Sequence, residues 1–146
     1  MPQEYNFELE RFIKAQQDTY ETALTELQAG RKRTHWMWFI FPQLEGLGRT
    51  ETAIFYGIKS VDEAKAYLND SVLGQRLIEC TEAVMAVEGS TLFEIFGKPD
   101  NRKFCSCMTL FSEVSETAER KAFFDAAIEK YCEQRDERTL AILNDS

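Results

Sequence analysis

Residues 30–50 read GRKRTHWMWFIFPQLEGLGRT, and how this stretch folds decides the architecture of the chain. It holds the only histidine, His35, both tryptophans, Trp36 and Trp38, and a local charge of +3 from Arg31, Lys32, Arg33 and Arg49 against Glu45, within a chain of net charge -8. The aromatic run from Trp36 to Phe41 is too apolar to leave in water at about 25 cal/mol per Å². Buried as a strand, it would send Trp36, Trp38 and Ile40 to one face and Met37, Phe39 and Phe41 to the other. That strand needs a partner, and the chain offers no convincing second one. Buried as a helix, it would start at Thr34 as N-cap, run from His35, and stop where Pro42 pushes Phe41 out of the helical region. The helical reading is preferred. It would place free amides at a helix start behind three cations, which is the chemistry of an anion cradle.

Working outward, the remaining segments carry helical periodicity. Leu9, Phe12, Ile13, Gln16, Tyr20, Ala23, Leu24 and Leu27 recur three and four apart, predicting one helix from a cap at Asn6 to a stop at Gly30. After Pro42 the glycines Gly46 and Gly48 read as a turn that could bring Arg49 toward the basic triplet, followed by a short helix from Thr50 ending near Gly57. Two glycines without a third, and without a preceding strand, are no dinucleotide fingerprint. Ser60 and Glu63 form a capping box for the next helix. Further helices are predicted over residues 71–87, 91–96, 101–114 and 119–134, with Asp136 capping a last one. The expectation is an all-α, compact multihelical single domain over 1–146 with its core at about residues 6–143, and about seven to nine helices with short connections.

The bulk numbers agree. A hydrophobic share of 44% and a charged share of 29% are those of a folded domain, and 146 residues suffice for one core without staples. No stretch approaches the roughly 20 apolar residues of a membrane span, and the start, MPQEYNFELER, has no leader pattern, so the cytoplasm is the expected location. The four cysteines, Cys80, Cys105, Cys107 and Cys132, are expected as reduced thiols serving packing. Cys105 and Cys107 diverge by about 200° on a helix, which suits neither a shared metal nor a disulfide between them. One histidine and no CxxC pair argue against a conventional zinc site, and no cofactor is expected. The acidic balance argues against an extended nucleic-acid interface, and none is expected.

Several ordered motifs carry a family resemblance: the run at residues 30–50, FYGI at Phe55–Ile58, EAKAYL at Glu63–Leu68, VLGQRLIECT at Val72–Thr81, IFGKPD at Ile95–Asp100 and MTLF at Met108–Phe111. Together they resemble the bacterial domain-of-unknown-function family 1810 over residues 6–143. The resemblance implies an all-helical fold and no catalytic assignment. It marks Arg31 to Trp38, Phe41, Pro42, Gln43, Gly46 and Gly48 as family-motif positions without giving them roles. Some members carry the label calpastatin. Inhibitors of that kind are repetitive and largely disordered, which the apolar periodicity here contradicts.

Three functions compete. In a small-ligand or anion-binding module, Arg31, Lys32, Arg33 and Arg49 hold a phosphate- or carboxylate-bearing small molecule, Gln43 lies on the same motif, and Trp36 or Trp38 stacks on a flat group. The same residues also fit a solvated cationic loop over tryptophans buried for area alone. In an enzyme, His35 acts as general acid or base; no GxSxG, Walker or HExxH pattern names a reaction. In a protein–protein interaction domain, the acidic helical exterior meets a basic partner. Monomer and weak dimer are both allowed.

Overall fold

The computed structural model describes residues 8–145. Within them the chain forms ten helices: α1 (Glu10–Gln17), α2 (Tyr20–Gln28), α3 (Met37–Ile40), α4 (Glu51–Tyr56), α5 (Val61–Asn69), α6 (Leu73–Ala86), α7 (Leu92–Phe96), α8 (Asp100–Val114), α9 (Ala118–Tyr131) and α10 (Glu137–Asn144). The only extended pairing among the described residues is an isolated parallel bridge, Leu44 to Ile58. The fold is all-helical, as its periodicity demands.

Helix α8 is the axis. Phe104, Cys107, Met108, Leu110 and Phe111 are all fully buried around its circumference, and it packs against α5, α7, α9 and α10. A two-sided apolar pattern is what a helix wrapped by neighbours requires. Phe41, Phe96 and Phe104 meet edge-to-face or stacked at 5.2–5.8 Å, tying α3, α7 and α8 into one core.

The first predicted helix is two. The break at Asp18 and Thr19 separates α1 from α2, and the two halves of one apolar stripe then serve different partners, α1 packing on α3 and α2 on α6. A straight helix would have met only one. The Asn6 cap lies outside the described residues. Gly30 ends α2 as expected: at φ +82° its N–H donates to the Leu27 carbonyl (2.9 Å), and Arg31 N–H donates to the Glu26 carbonyl (3.0 Å), a Schellman closure.

Two other local expectations need correction. Ser60 caps α5 by accepting from Glu63 N–H (3.0 Å), but the Glu63 carboxylate passes over the cap. It accepts instead from Lys59 N–H (2.6 Å) and pairs with Arg11 of α1 (2.8 Å). The cysteines are not all reduced either: Cys105 on α8 and Cys132 at the end of α9 form a disulfide, Cα to Cα 6.0 Å, while Cys80 and Cys107 are buried free thiols. The bond joins positions 27 apart in sequence. Only the packing of α9 along α8 brings them together, so helical spacing carried no sign of it. Burial pushes the Cys80 thiol up to about 12 and the Cys107 thiol well above its ordinary range, which leaves both unreactive.

Candidate functional site

The motif at residues 30–50 divides on folding into an inner half that holds the structure and an outer half that lines a cavity. The inner half is built on Glu26, in the last turn of α2. Its carboxylate accepts hydrogen bonds from Arg33 N–H (2.8 Å), Thr34 N–H (3.1 Å), the Thr34 hydroxyl (2.8 Å) and the Trp36 indole N–H (2.9 Å). Burial alone would raise its pKa. Four donors outweigh that and hold it at about 2.

This arrangement corrects the predicted helix start. Thr34 does not cap; its hydroxyl donates to Glu26, and α3 is a single turn beginning at Met37. The loop's own amides at Arg33 and Thr34, just ahead of the expected helix start, are wrapped around the protein's own carboxylate instead. Glu26 was missed in the sequence, although its place beside the apolar stripe, just before a cationic loop, was the available signal. Trp36 is fully buried beneath the loop. Lys32 is engaged as well, paired with Asp100 at 2.9 Å and lying 5.2 Å over the Trp36 ring.

The remaining motif residues separate. Arg31 and Lys32 line an open cavity of about 500 Å³ against residues 93–97. Arg33 and His35 are exposed and belong to the wall of neither this cavity nor the next. Among the described residues the His35 imidazole has no hydrogen-bond partner.

Trp38, Gln43 and Arg49 do converge, on a cavity of about 310 Å³ between α3, the loop before α4, the start of α8 and the start of α10. Arg102, Lys103 and Arg138 join them in its wall. Four cations thus face one carboxylate, Asp136, whose oxygen is already accepting from Thr139 N–H (2.9 Å) and the Thr139 hydroxyl (2.6 Å). Lys103 lies 5.2 Å over the half-buried Trp38 ring and 3.5 Å from Asp100. Arg138 donates to the Leu47 carbonyl at 3.1 Å. Among the described residues neither Arg49 nor Arg102 has a carboxylate within ion-pair reach. The cavity therefore carries uncompensated positive charge beside an indole. Arg102, Lys103 and Arg138 stand more than fifty residues from Arg49 in sequence, on helices whose charges read as ordinary solvated faces, so no local pattern pointed to them.

The sequence model of the family described as "Protein of unknown function (DUF1810)" matches residues 6–143. The chain belongs to the DUF1810 family. Among solved structures it is similar to the crystal structure of the conserved hypothetical protein Rv1873 from Mycobacterium tuberculosis, with 49% sequence identity, 94% of this chain and 97% of that chain covered, and a TM-score of 0.91. No curated protein matches the chain. Family membership brings a fold and no chemistry, so a functional reading of this DUF1810 chain rests on the Trp38 cavity. No helix among the described residues is long and apolar enough to cross a membrane.

Proposed function

We propose that the chain is a small-ligand-binding module whose site is the Trp38 cavity and whose ligand carries a phosphate or carboxylate. The observation that carries this reading is the charge of the wall: Arg49, Arg102 and Arg138, with Lys103 beside its own partner Asp100, against Asp136, in a chain of net charge -8. Unpaired arginines suit anionic oxygens through their forked donors. Gln43 adds both a donor and an acceptor, and the indole of Trp38 offers an apolar face for a flat group. The cavity is at the small end of ligand-pocket volumes, which favours a small phosphorylated or carboxylated molecule over a polymer. Arg31, Lys32 and Arg33 stay outside this wall. A cytoplasmic location goes with the same proposal and is checked by fractionation.

The test is a thermal-shift and tryptophan-fluorescence titration with inorganic phosphate, ribose 5-phosphate and adenosine monophosphate, on wild type and on Arg49→Ala/Arg102→Ala. A ligand selective for the native state raises Tm by mass action. The expected result is a stabilisation that weakens with salt and is lost in the double variant. Equal shifts in both proteins, or none with any of the three probes, would reject the site.

A further inference from the structure

The disulfide lies against the same site. Cys105 and Cys132 stand in the wall of a second cavity, of about 550 Å³, which shares Arg102, Asp136 and Arg138 with the cationic one. Arg102 is one helical turn before Cys105 on α8, Asp136 follows Cys132 at the end of the α9–α10 connection, and Arg138 lies in the first turn of α10. The bond therefore ties the two elements that carry opposite parts of the ligand wall.

Other anchors hold the far end of that connection. Arg135 pairs with Asp125 (2.9 Å) and Glu113 (2.8 Å), and Asp136 N–H donates to the Thr109 hydroxyl (2.9 Å). Among the described residues, the disulfide is the only covalent, hydrogen-bonded or ion-paired tie from Cys132, Glu133 and Gln134 to α8. Opening it would loosen this segment without unfolding α8 or α9, which keep their own core. Both sulfurs belong to half-buried residues on an open cavity, where a reductant can reach them. Cys80 and Cys107 are sealed in the core and take no part.

Building on the ligand-binding reading, we propose that the Cys105–Cys132 disulfide is a redox latch on the Trp38 cavity: closed, it shares with the Arg135 and Asp136 anchors the holding of the chain that carries Asp136 and Arg138 against α8; opened by a dithiol, it leaves those anchors to hold the chain alone and lowers affinity for anions. In the opening step one thiolate of the dithiol attacks a protein sulfur, and the other cysteine leaves as a thiolate and takes up a proton. The second thiol of the reductant then displaces the remaining cysteine. Two electrons and two protons pass to the protein, leaving two cysteine thiols and the oxidised dithiol.

The experiment compares air-oxidised and dithiothreitol-treated full-length protein, with Cys105→Ser/Cys132→Ser as the permanently open form. Thiol titration after denaturation is expected to count two thiols before reduction and four after it. Amide exchange over residues 132–138 is expected to speed up roughly tenfold on reduction, with circular dichroism unchanged. Inorganic phosphate should bind about fivefold or more weakly to the reduced form and to the double variant. Four thiols before reduction, global unfolding on reduction, or equal phosphate affinity in the two redox forms would overturn the latch. Phosphate bound equally by both forms removes the latch and leaves the ligand site standing, whereas no binding by either form removes both.

Discussion

The indole N–H of Trp36 donates to the Glu26 carboxylate at 2.9 Å, ten residues back along the chain. Around this bond the loop folds inward, with its two amides and the Thr34 hydroxyl on the same carboxylate. A motif that reads as a receptor for an external anion thus holds an internal one, and the cations it displays are left at the surface or paired elsewhere.

Glu26 makes stability depend on acid. Its carboxyl sits at about 2 in the folded protein, below the unfolded value of roughly 4.3. The unfolded chain therefore takes up the proton first. The contribution, about 3 kcal/mol, is fully present above the unfolded value and is lost as pH falls toward 2. Glu26→Gln is expected to be less stable than wild type at neutral pH by about that amount, with the gap closing in acid. Urea titrations of both proteins from neutral pH down to about 2 check this. A gap that stays constant would refute the assignment.

The two tryptophans should separate cleanly on substitution. Trp36→Phe removes a donor from a buried carboxylate and leaves a void, costing about 2–4 kcal/mol. Trp38→Phe, at a half-buried position on the cavity, should cost about 1 kcal/mol or less. Iodide should quench the emission of Trp36→Phe, which reports Trp38, and leave that of Trp38→Phe nearly untouched. Equal quenching of the two variants would contradict the burial difference.

Arg11 bridges α1 to the α4–α5 region, donating to the Phe55 carbonyl (2.8 Å), the Gly57 carbonyl (2.9 Å) and the fully buried Glu63 (2.8 Å). Arg11→Met strands a buried carboxylate and is expected to cost about 3–5 kcal/mol. Arg11→Met/Glu63→Gln removes the stranded charge and keeps an acceptor for Lys59 N–H. It should be more stable than Arg11→Met alone. Additive losses in a double-mutant cycle would show the pair to be uncoupled.

Gly74 is the second residue of α6, where alanine would normally stabilise a helix by about 1 kcal/mol. A Cβ there would come within 2.0 Å of the Leu68 carbonyl oxygen. Backbone at that distance cannot step aside as a side chain can, so Gly74→Ala is expected to destabilise by roughly 2 kcal/mol, through displacement of α6 from α5. Thermal denaturation measures it, and a rise in Tm would contradict the close approach.

Local chemistry made most of the helices readable. Ser60, Thr50 and Asp136 cap where their short side chains reach the third amide onward, Gly30 turns where φ is positive, and apolar residues three and four apart mark the buried faces. Such signals lie within one or two turns of chain. The break at Asp18 and Thr19 was hidden because both halves continue one stripe, and the choice of a second partner for the second half is made by α6. Glu26 was hidden for the same reason: an acidic residue near a helix end is ordinary until a loop folds back onto it.

The candidate site shows the same division. Trp38, Gln43 and Arg49 lie within twelve residues and could be proposed together from composition alone. Arg102, Lys103, Arg138 and the Cys105–Cys132 bond entered only with the packing of α8, α9 and α10, since contact between distant segments depends on which faces bury together. What the chain order settled on its own is an all-helical fold with its caps, stops and buried stripes, because these follow from backbone hydrogen bonding and apolar spacing within a few residues. Which cations face a cavity, which carboxylate they surround and which cysteines join were settled in three dimensions, because charge and thiol chemistry depend on neighbours that linear order does not specify.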